Sequence, residues 1–241
     1  MALTQTPVAE PVETTVAEQE NGAGDIHLRM SYEEFLTQID ESKQAEWVDG
    51  EAIIFMPLTM RHQQIVGFLY SLLLSFVQHF RLGEVIIAPY EMKITPESNS
   101  REPDILFVAN EHLDRLTEKK LQGAADLIVE VISASSVYRD RSDKFDEYEA
   151  AGVREYWLVD ARPGKENASF WVLDETGRYR AGIVDENDVY RSTVIPGFWV
   201  NLEWLLRAEP PSPILAFAEI AGLPEAVTEQ LRQIQRGPTI E

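Results

Sequence analysis

Residues 126–133 read Asp126-Leu127-Ile128-Val129-Glu130-Val131-Ile132-Ser133, and residues 103–109 read Pro103-Asp104-Ile105-Leu106-Phe107-Val108-Ala109. Both are short, nearly unbroken apolar runs rich in β-branched residues, the pattern of strands covered on two faces. They predict two central strands of a sheet with helices on either side. Each run carries an acid: Asp104 opens one, and Glu130 lies inside the other. Burying an unpaired carboxylate costs several kcal/mol, so such a glutamate needs a cation, a metal ion or a hydrogen-bonding network as partner. Two carboxylates side by side repel, and a divalent cation removes that repulsion. On the residues alone a second reading stays open, in which Glu130 pairs with Arg101 or Arg154 and does no chemistry.

Upstream, Ser31-Tyr32-Glu33-Glu34 has capping-box spacing ahead of Phe35, Leu36 and Ile39, so a short helix opens the folded part near Met30. The segment from Glu46 to Glu51 reads as strand, Asp49-Gly50 turn, strand. A long apolar helix is expected over residues 62–81, stopped by Gly83. Strands follow at 84–88 and 91–94, then a polar loop over 95–102. Beyond Glu130, residues 138–151 read as a helix ended by Gly152 and 156–159 as a strand. Residues 168–194 read as short strands extending the sheet in antiparallel fashion. Two amphipathic segments, 214–221 and 224–235, either cover the core or contact another subunit. The chain thus divides into a disordered acidic tail (1–29), one α/β (α+β) domain (30–209) and a helical extension (210–241).

Composition sets the limits. With 241 residues, 44% hydrophobic and 10% aromatic, the chain has ordinary globular makeup. It holds no cysteine, which excludes disulfides, thiolate metal sites and a cysteine nucleophile. The leading residues carry Glu10, Glu13, Glu18, Glu20 and Asp25 without a lysine or arginine, the reverse of a secretory signal. The longest apolar stretch, 65–77, falls short of the roughly 20 residues that span a bilayer. The expectation is a cytoplasmic protein that makes no membrane contact. The net charge of −20, from 41 acidic and 21 basic residues, repels nucleic acid at long range. Any contact with nucleic acid must overcome it with local bases and bound cations. Arg139, Arg141 and Lys144, with Arg115, Lys119 and Lys120, form the best basic patch, but Asp140 and Asp143 interrupt it, and a solvated helix face is the simpler reading. His27, His79 and His112 show no metal-ligand spacing, and the five tryptophans read as packing residues.

Taken in order, Glu46, Asp49-Gly50-Glu51, His62, Pro103-Asp104, the run 126–133, Lys144, Tyr148, Gly152-Val153, residues 156–160 and Pro196-Gly197-Phe198 resemble the Uma-two family. That family belongs to the PD-(D/E)XK, or restriction-endonuclease-like, nuclease superfamily. The resemblance spans about residues 30–206. It implies a restriction-endonuclease-like mixed central sheet flanked by helices, with a divalent metal, magnesium or alternatively manganese, near Asp104 and Glu130. Magnesium takes oxygen ligands and keeps several waters, so two carboxylates and a strand carbonyl, that of Val131, would suffice. The superfamily's lysine, two residues after the acid, is replaced here by Ile132. Lys144 on the following helix is the substitute candidate, against the alternative of a solvated helix lysine. Glu46 is either a further acid of the site or an exposed strand residue. His62 would bind phosphate or assist proton transfer, or else serve a structural role.

Two function classes follow. One is a magnesium-dependent endonuclease hydrolysing phosphodiester bonds, DNA foremost, in which Asp104 and Glu130 hold metal and Lys144 assists the attacking water. The other is a binding or regulatory module that keeps the fold without useful catalysis, favoured by the acidic charge and the missing strand lysine. A glycosidase using the paired acids ranks below both, because no sugar-binding aromatic cleft is indicated. A homodimer is compatible with duplex cutting, but no interface is visible in the sequence.

Overall fold

The computed structural model describes residues 25–40, 43–134 and 136–235. Its strands are β1 (Ile26–Arg29), β2 (Ala45–Val48), β3 (Glu51–Ile54), β4 (Gly83–Ile87), β5 (Glu91–Lys93), β6 (Ser100–Arg101), β7 (Ile105–Ala109), β8 (Lys120–Gln122), β9 (Leu127–Ile132), β10 (Glu155–Asp160), β11 (Asn167–Leu173), β12 (Tyr179–Ala181), β13 (Val189–Arg191) and β14 (Trp199–Asn201). The helices are α1 (Tyr32–Gln38), α2 (Met60–Phe80), α3 (Lys144–Ala151), α4 (Leu202–Leu206), α5 (Pro213–Ile220) and α6 (Glu225–Gln235). The mixed α+β architecture expected from the sequence is present, but twelve of its strands form two six-stranded sheets instead of one, and β13 and β14 form a separate pair. The orders of the two sheets are β1-β3-β2-β6-β5-β8 and β12-β11-β10-β9-β7-β4.

The second sheet carries the core. In it β9 runs parallel to β10 and antiparallel to β7. All six residues of β9 and of β10 are buried, as strands covered on both faces must be. Alternate residues divide between two apolar layers. Leu127, Val129, Val131, Trp157 and Val159 pack with Leu69, Leu72 and Phe76 of α2. Leu106, Ile128, Ile132, Tyr156 and Leu158 pack with Tyr148 of α3. Glu130 belongs by alternation to this second layer, where it faces helix α3 rather than solvent.

Local sequence explains the connections that hold this frame. Ser31 and Glu34 form the expected capping box of α1. Asp49 and Gly50 both take left-handed backbone, φ 50° and 83°, as a two-residue hairpin between β2 and β3 requires. Helix α2 ends one step earlier than expected: Arg81, not Gly83, is its left-handed cap. Gly83 has a different task, since a Cβ there would lie 2.1 Å from the Val108 carbonyl oxygen across the β4–β7 ladder.

Three boundaries differ from the sequence reading. Ile26–Arg29 was assigned to the acidic tail, yet it pairs with β3 because its alternation matches that hairpin edge. The disorder expected of residues 1–24 lies outside the described residues. The polar loop 95–102 contains β6, which pairs with both β2 and β5. In the region 168–194, β11 and β12 extend the sheet, whereas β13 leaves it to pair with β14. The choice left open for the 214–221 segment falls on covering the core, for Ala216 and Ile220 of α5 join the layer built on α2.

Candidate functional site

The chain passes from the first sheet to the second between β6 and β7, and Asp104 lies at that crossing. Register does the rest. Ile105 pairs with Val129 and Leu106 with Ile128, so one further step sets Asp104 opposite Glu130 on the same face of the sheet. The Val131 N–H donates to Asp104 Oδ2 at 2.7 Å, fixing that carboxylate against β9. His62, placed in the first turn of α2 by the Thr59 side-chain cap, brings its Nε2 to 3.2 Å from the same oxygen. Its Nδ1 is buried without a hydrogen-bond partner among the described residues.

Glu130 is met by α3. Lys144 Nζ and the Tyr148 hydroxyl, one helical turn apart, donate to Glu130 Oε1 at 2.8 and 3.0 Å. Neither Arg101 nor Arg154 is the partner of Glu130: Arg101 binds Glu46 and Glu147, and Arg154 binds Glu111 and Asp126. Lys144 is no solvated helix lysine either, with 3% of its surface exposed. Its second carboxylate is Glu46 Oε1 at 2.8 Å. Glu46 is fully buried, which disposes of the exposed-strand reading. Arg101 donates to its Oε2 and the Glu102 N–H to its Oε1, so both oxygens are occupied. Glu46 therefore holds the cations in place instead of offering a vacant ligand.

Electrostatics separates the two glutamates. Burial opposes ionisation of Glu46, but Lys144, Arg101 and Arg139 outweigh it and hold its pKa down at about 2. Burial also raises Glu130, and there the carboxylates of Asp140, Asp104 and Glu46 add to it, lifting the group to about 8 against the pull of Lys144. Burial lifts Glu102 to about 8 as well, with Glu46 and Glu91 adding and the Ala45 N–H and Lys144 opposing.

These groups border a cavity of about 30 Å³, room for one or two waters or an ion. Asp25, Glu102, Asp104, Glu130 and Asp140 line it on the acidic side, against Arg139 and Lys144. Burial and mutual repulsion among these acids oppose the ionisation of Glu130, Glu102 and Asp140, and a bound cation would relieve that opposition. The bonds to Asp104 fall on Oδ2 and those to Glu130 on Oε1, so the second oxygen of each is without a hydrogen bond among the described residues. An oxygen donor set of crowded, repelling carboxyl groups with little room between them fits a small hard divalent cation.

A model of the Uma2 family, described as "Putative restriction endonuclease", matches residues 32–203, which include both sheets apart from β1 and every residue of this site except Asp25. The chain belongs to the Uma2 family. The solved structure of a "putative nuclease belonging to DUF820" from Anabaena variabilis matches with a TM-score of 0.58 at 17% identity, over 72% of this chain and 96% of that one. That likeness supports the fold. No curated protein matches the chain.

Other residues of this Uma2 chain depart from the sequence reading. His112 does have carboxylate neighbours: Glu111, His112 and Asp126 offer ligand atoms within 4.8 Å of one another. Folding brings them together across sequence gaps that no spacing rule shows. Arg154 already bridges Glu111 and Asp126, and the Ala109 N–H binds Asp126, so this cluster is partly neutralised from within the protein. The expected basic patch is largely consumed. Arg139 pairs with Asp25, Arg141 with Asp160, and Arg115 with the Ala124 carbonyl. Asp140, Glu102 and Asp25 were missed as neighbours of the site, although Asp140 stands four residues before Lys144, one helical turn away. Ile132, two residues after Glu130, is buried in the apolar layer beside Tyr148. No helix among the described residues is long and apolar enough to cross a membrane.

Proposed function

We propose that this Uma2 chain is a metal-dependent phosphodiester hydrolase acting on nucleic acid, DNA foremost, with its centre at Asp104 and Glu130. The observation that carries the reading is their convergence, with Lys144, on one small acid-rich cavity. Asp104, Glu130 and the Val131 carbonyl would hold the cation, magnesium or alternatively manganese. When bound, it supplies a Lewis acid for the phosphate oxygens and a lowered pKa for a neighbouring water.

The chain's own residues do the rest. Lys144, held at 2.8 Å by both Glu130 and Glu46, is a fixed positive charge at the cavity wall, able to orient the attacking water and offset charge gathering on the phosphate. Tyr148 and Glu46 keep it and Glu130 from wandering, which is how preorganised sites avoid reorganisation during the reaction. His62 steadies Asp104 through Nε2, and its unpartnered Nδ1 can accept a proton from water or substrate.

Incubation of plasmid and single-stranded DNA with the purified protein tests the proposal, with magnesium, manganese or chelator, beside Asp104→Ala. Metal-dependent cutting that disappears in the variant supports it; equal cutting by both proteins points to a contaminant. The competing reading, a binding module without catalysis, draws on the net charge of −20 and on arginines already tied to carboxylates. It predicts metal binding with no cutting in any arm.

A further inference from the structure

The cavity has two bases, and they are not equivalent. Lys144 is saturated by Glu130 and Glu46, with Asp140 at 3.8 Å as a third carboxylate. Arg139 has its hydrogen bond, among the described residues, to Asp25 Oδ2 at 3.1 Å, while its Nε is buried without a partner. A guanidinium offers five N–H donors in a planar fork, so Arg139 retains donors for a second anion. Its guanidinium carbon sits 4.5 Å from the centre of the Phe55 ring, which fixes the orientation of the fork.

We propose that Arg139 is the residue that positions a substrate phosphate at this site, and that Asp25 occupies the phosphate's place until substrate displaces it. The proposal rests on the nuclease reading above. A carboxylate presents paired oxygens to a guanidinium much as a phosphate does. Asp25 lines the same cavity as Asp104 and Glu130, with 6% of its side chain exposed. It directly precedes β1, the edge strand of the first sheet, so its withdrawal leaves the core intact. The groove on the other side of Arg139, bordered by Arg101 with Asp49, Glu97, Asp143 and Glu147, includes neither Asp104 nor Glu130. The cavity side, where a cation held by those two would offset the acids, is therefore the productive approach.

Binding of a short labelled DNA duplex, followed by fluorescence anisotropy in calcium buffer over a series of salt concentrations, tests the proposal. Asp25→Asn keeps an acceptor for the Met56 N–H and removes the competing charge. Its affinity should rise at least about fivefold, the upper worth of an exposed ion pair, because this largely buried pair no longer has to be broken. Glu186→Gln, an exposed acid neutralised elsewhere, controls for net charge and should leave affinity unchanged. Arg139→Gln should weaken binding and flatten the salt dependence by about 0.9 in log–log slope, the loss of one phosphate contact. Arg139→Lys, retaining the charge, should recover the slope but not the full affinity. A gain of binding in Asp25→Asn cannot arise from misfolding. If the unaltered protein cuts DNA with metal, yet Asp25→Asn binds no better than Glu186→Gln or Arg139→Gln keeps the native slope, the proposal is overturned and the nuclease reading stands. If no variant binds DNA and the unaltered protein does not cut it, the nuclease reading fails and this one with it.

Discussion

Lys144 Nζ lies 2.8 Å from Glu130 Oε1 and 2.8 Å from Glu46 Oε1, joining helix α3 to one strand in each of the two sheets. All three groups are buried. Removing the cation leaves Glu46 to Arg101 and the Glu102 N–H and Glu130 to the neutral Tyr148 hydroxyl alone, and breaking a buried pair in this way costs about 3–5 kcal/mol. Lys144→Met should therefore lower stability by about that much in chelator, read by chemical denaturation. Added magnesium should raise its melting temperature more than it raises that of the unaltered protein, because an acid site stripped of its lysine binds a cation better. Equal magnesium shifts would argue that the ion does not see Lys144.

Glu46 supplies a pH signature. Its folded pKa is held near 2 from an ordinary 4.5, so its contribution to stability is present above pH 4.5 and lost as pH falls toward 2. The shift corresponds to about 3 kcal/mol at neutral pH. Glu46→Gln should be less stable than the unaltered protein at pH 7 by an amount of that order, and the two denaturation curves should approach each other between pH 4.5 and pH 2. A gap independent of pH would mean that the loss comes from packing.

Gly83 offers a change confined to the frame. Gly83→Ala drives a methyl group into the Val108 carbonyl at the β4–β7 edge and should cost about 1–3 kcal/mol or more. The affinity for magnesium or manganese, measured by calorimetry below the melting transition, should not change, because β7 is still anchored to β9 beside Asp104.

A buried strand acid need not be a site, as Glu155 demonstrates. It is fully buried, yet it accepts hydrogen bonds from the Trp157 indole, the Ser192 and Thr193 hydroxyls and the Thr193 and Val194 N–H groups. Glu155→Gln should destabilise the fold, since one amide group replaces an acceptor at a donor-rich position, and leave metal binding untouched. Glu130→Gln should do the converse, abolishing metal binding while relieving the charge repulsion that raises its pKa.

The contrast marks how far the sequence could be read. Strands β7 and β9, helix α2 and the 49–50 turn follow from periodicity and turn chemistry, which are local. Asp104 and Glu130 stood out because a charge within an apolar run demands a partner. Which partner it has is a long-range matter: Glu155 is satisfied from residues 192–194, Glu46 from Arg101 and Lys144, and Arg139 in part from Asp25. Lys144 was within reach of sequence reasoning because helix geometry ties it to Tyr148. The split into two sheets was not, since β5, β6 and β8 hold two or three residues each and carry no period of their own.

Manganese titration followed by electron paramagnetic resonance, on the unaltered protein, Asp104→Asn, Glu130→Gln and Asp126→Asn, tests the central claim most directly. The account predicts one site in the unaltered protein, lost in Asp104→Asn and in Glu130→Gln and retained in Asp126→Asn. A site that survives both of the first two substitutions and vanishes with Asp126→Asn would place the ion at the Glu111–His112–Asp126 cluster and contradict it.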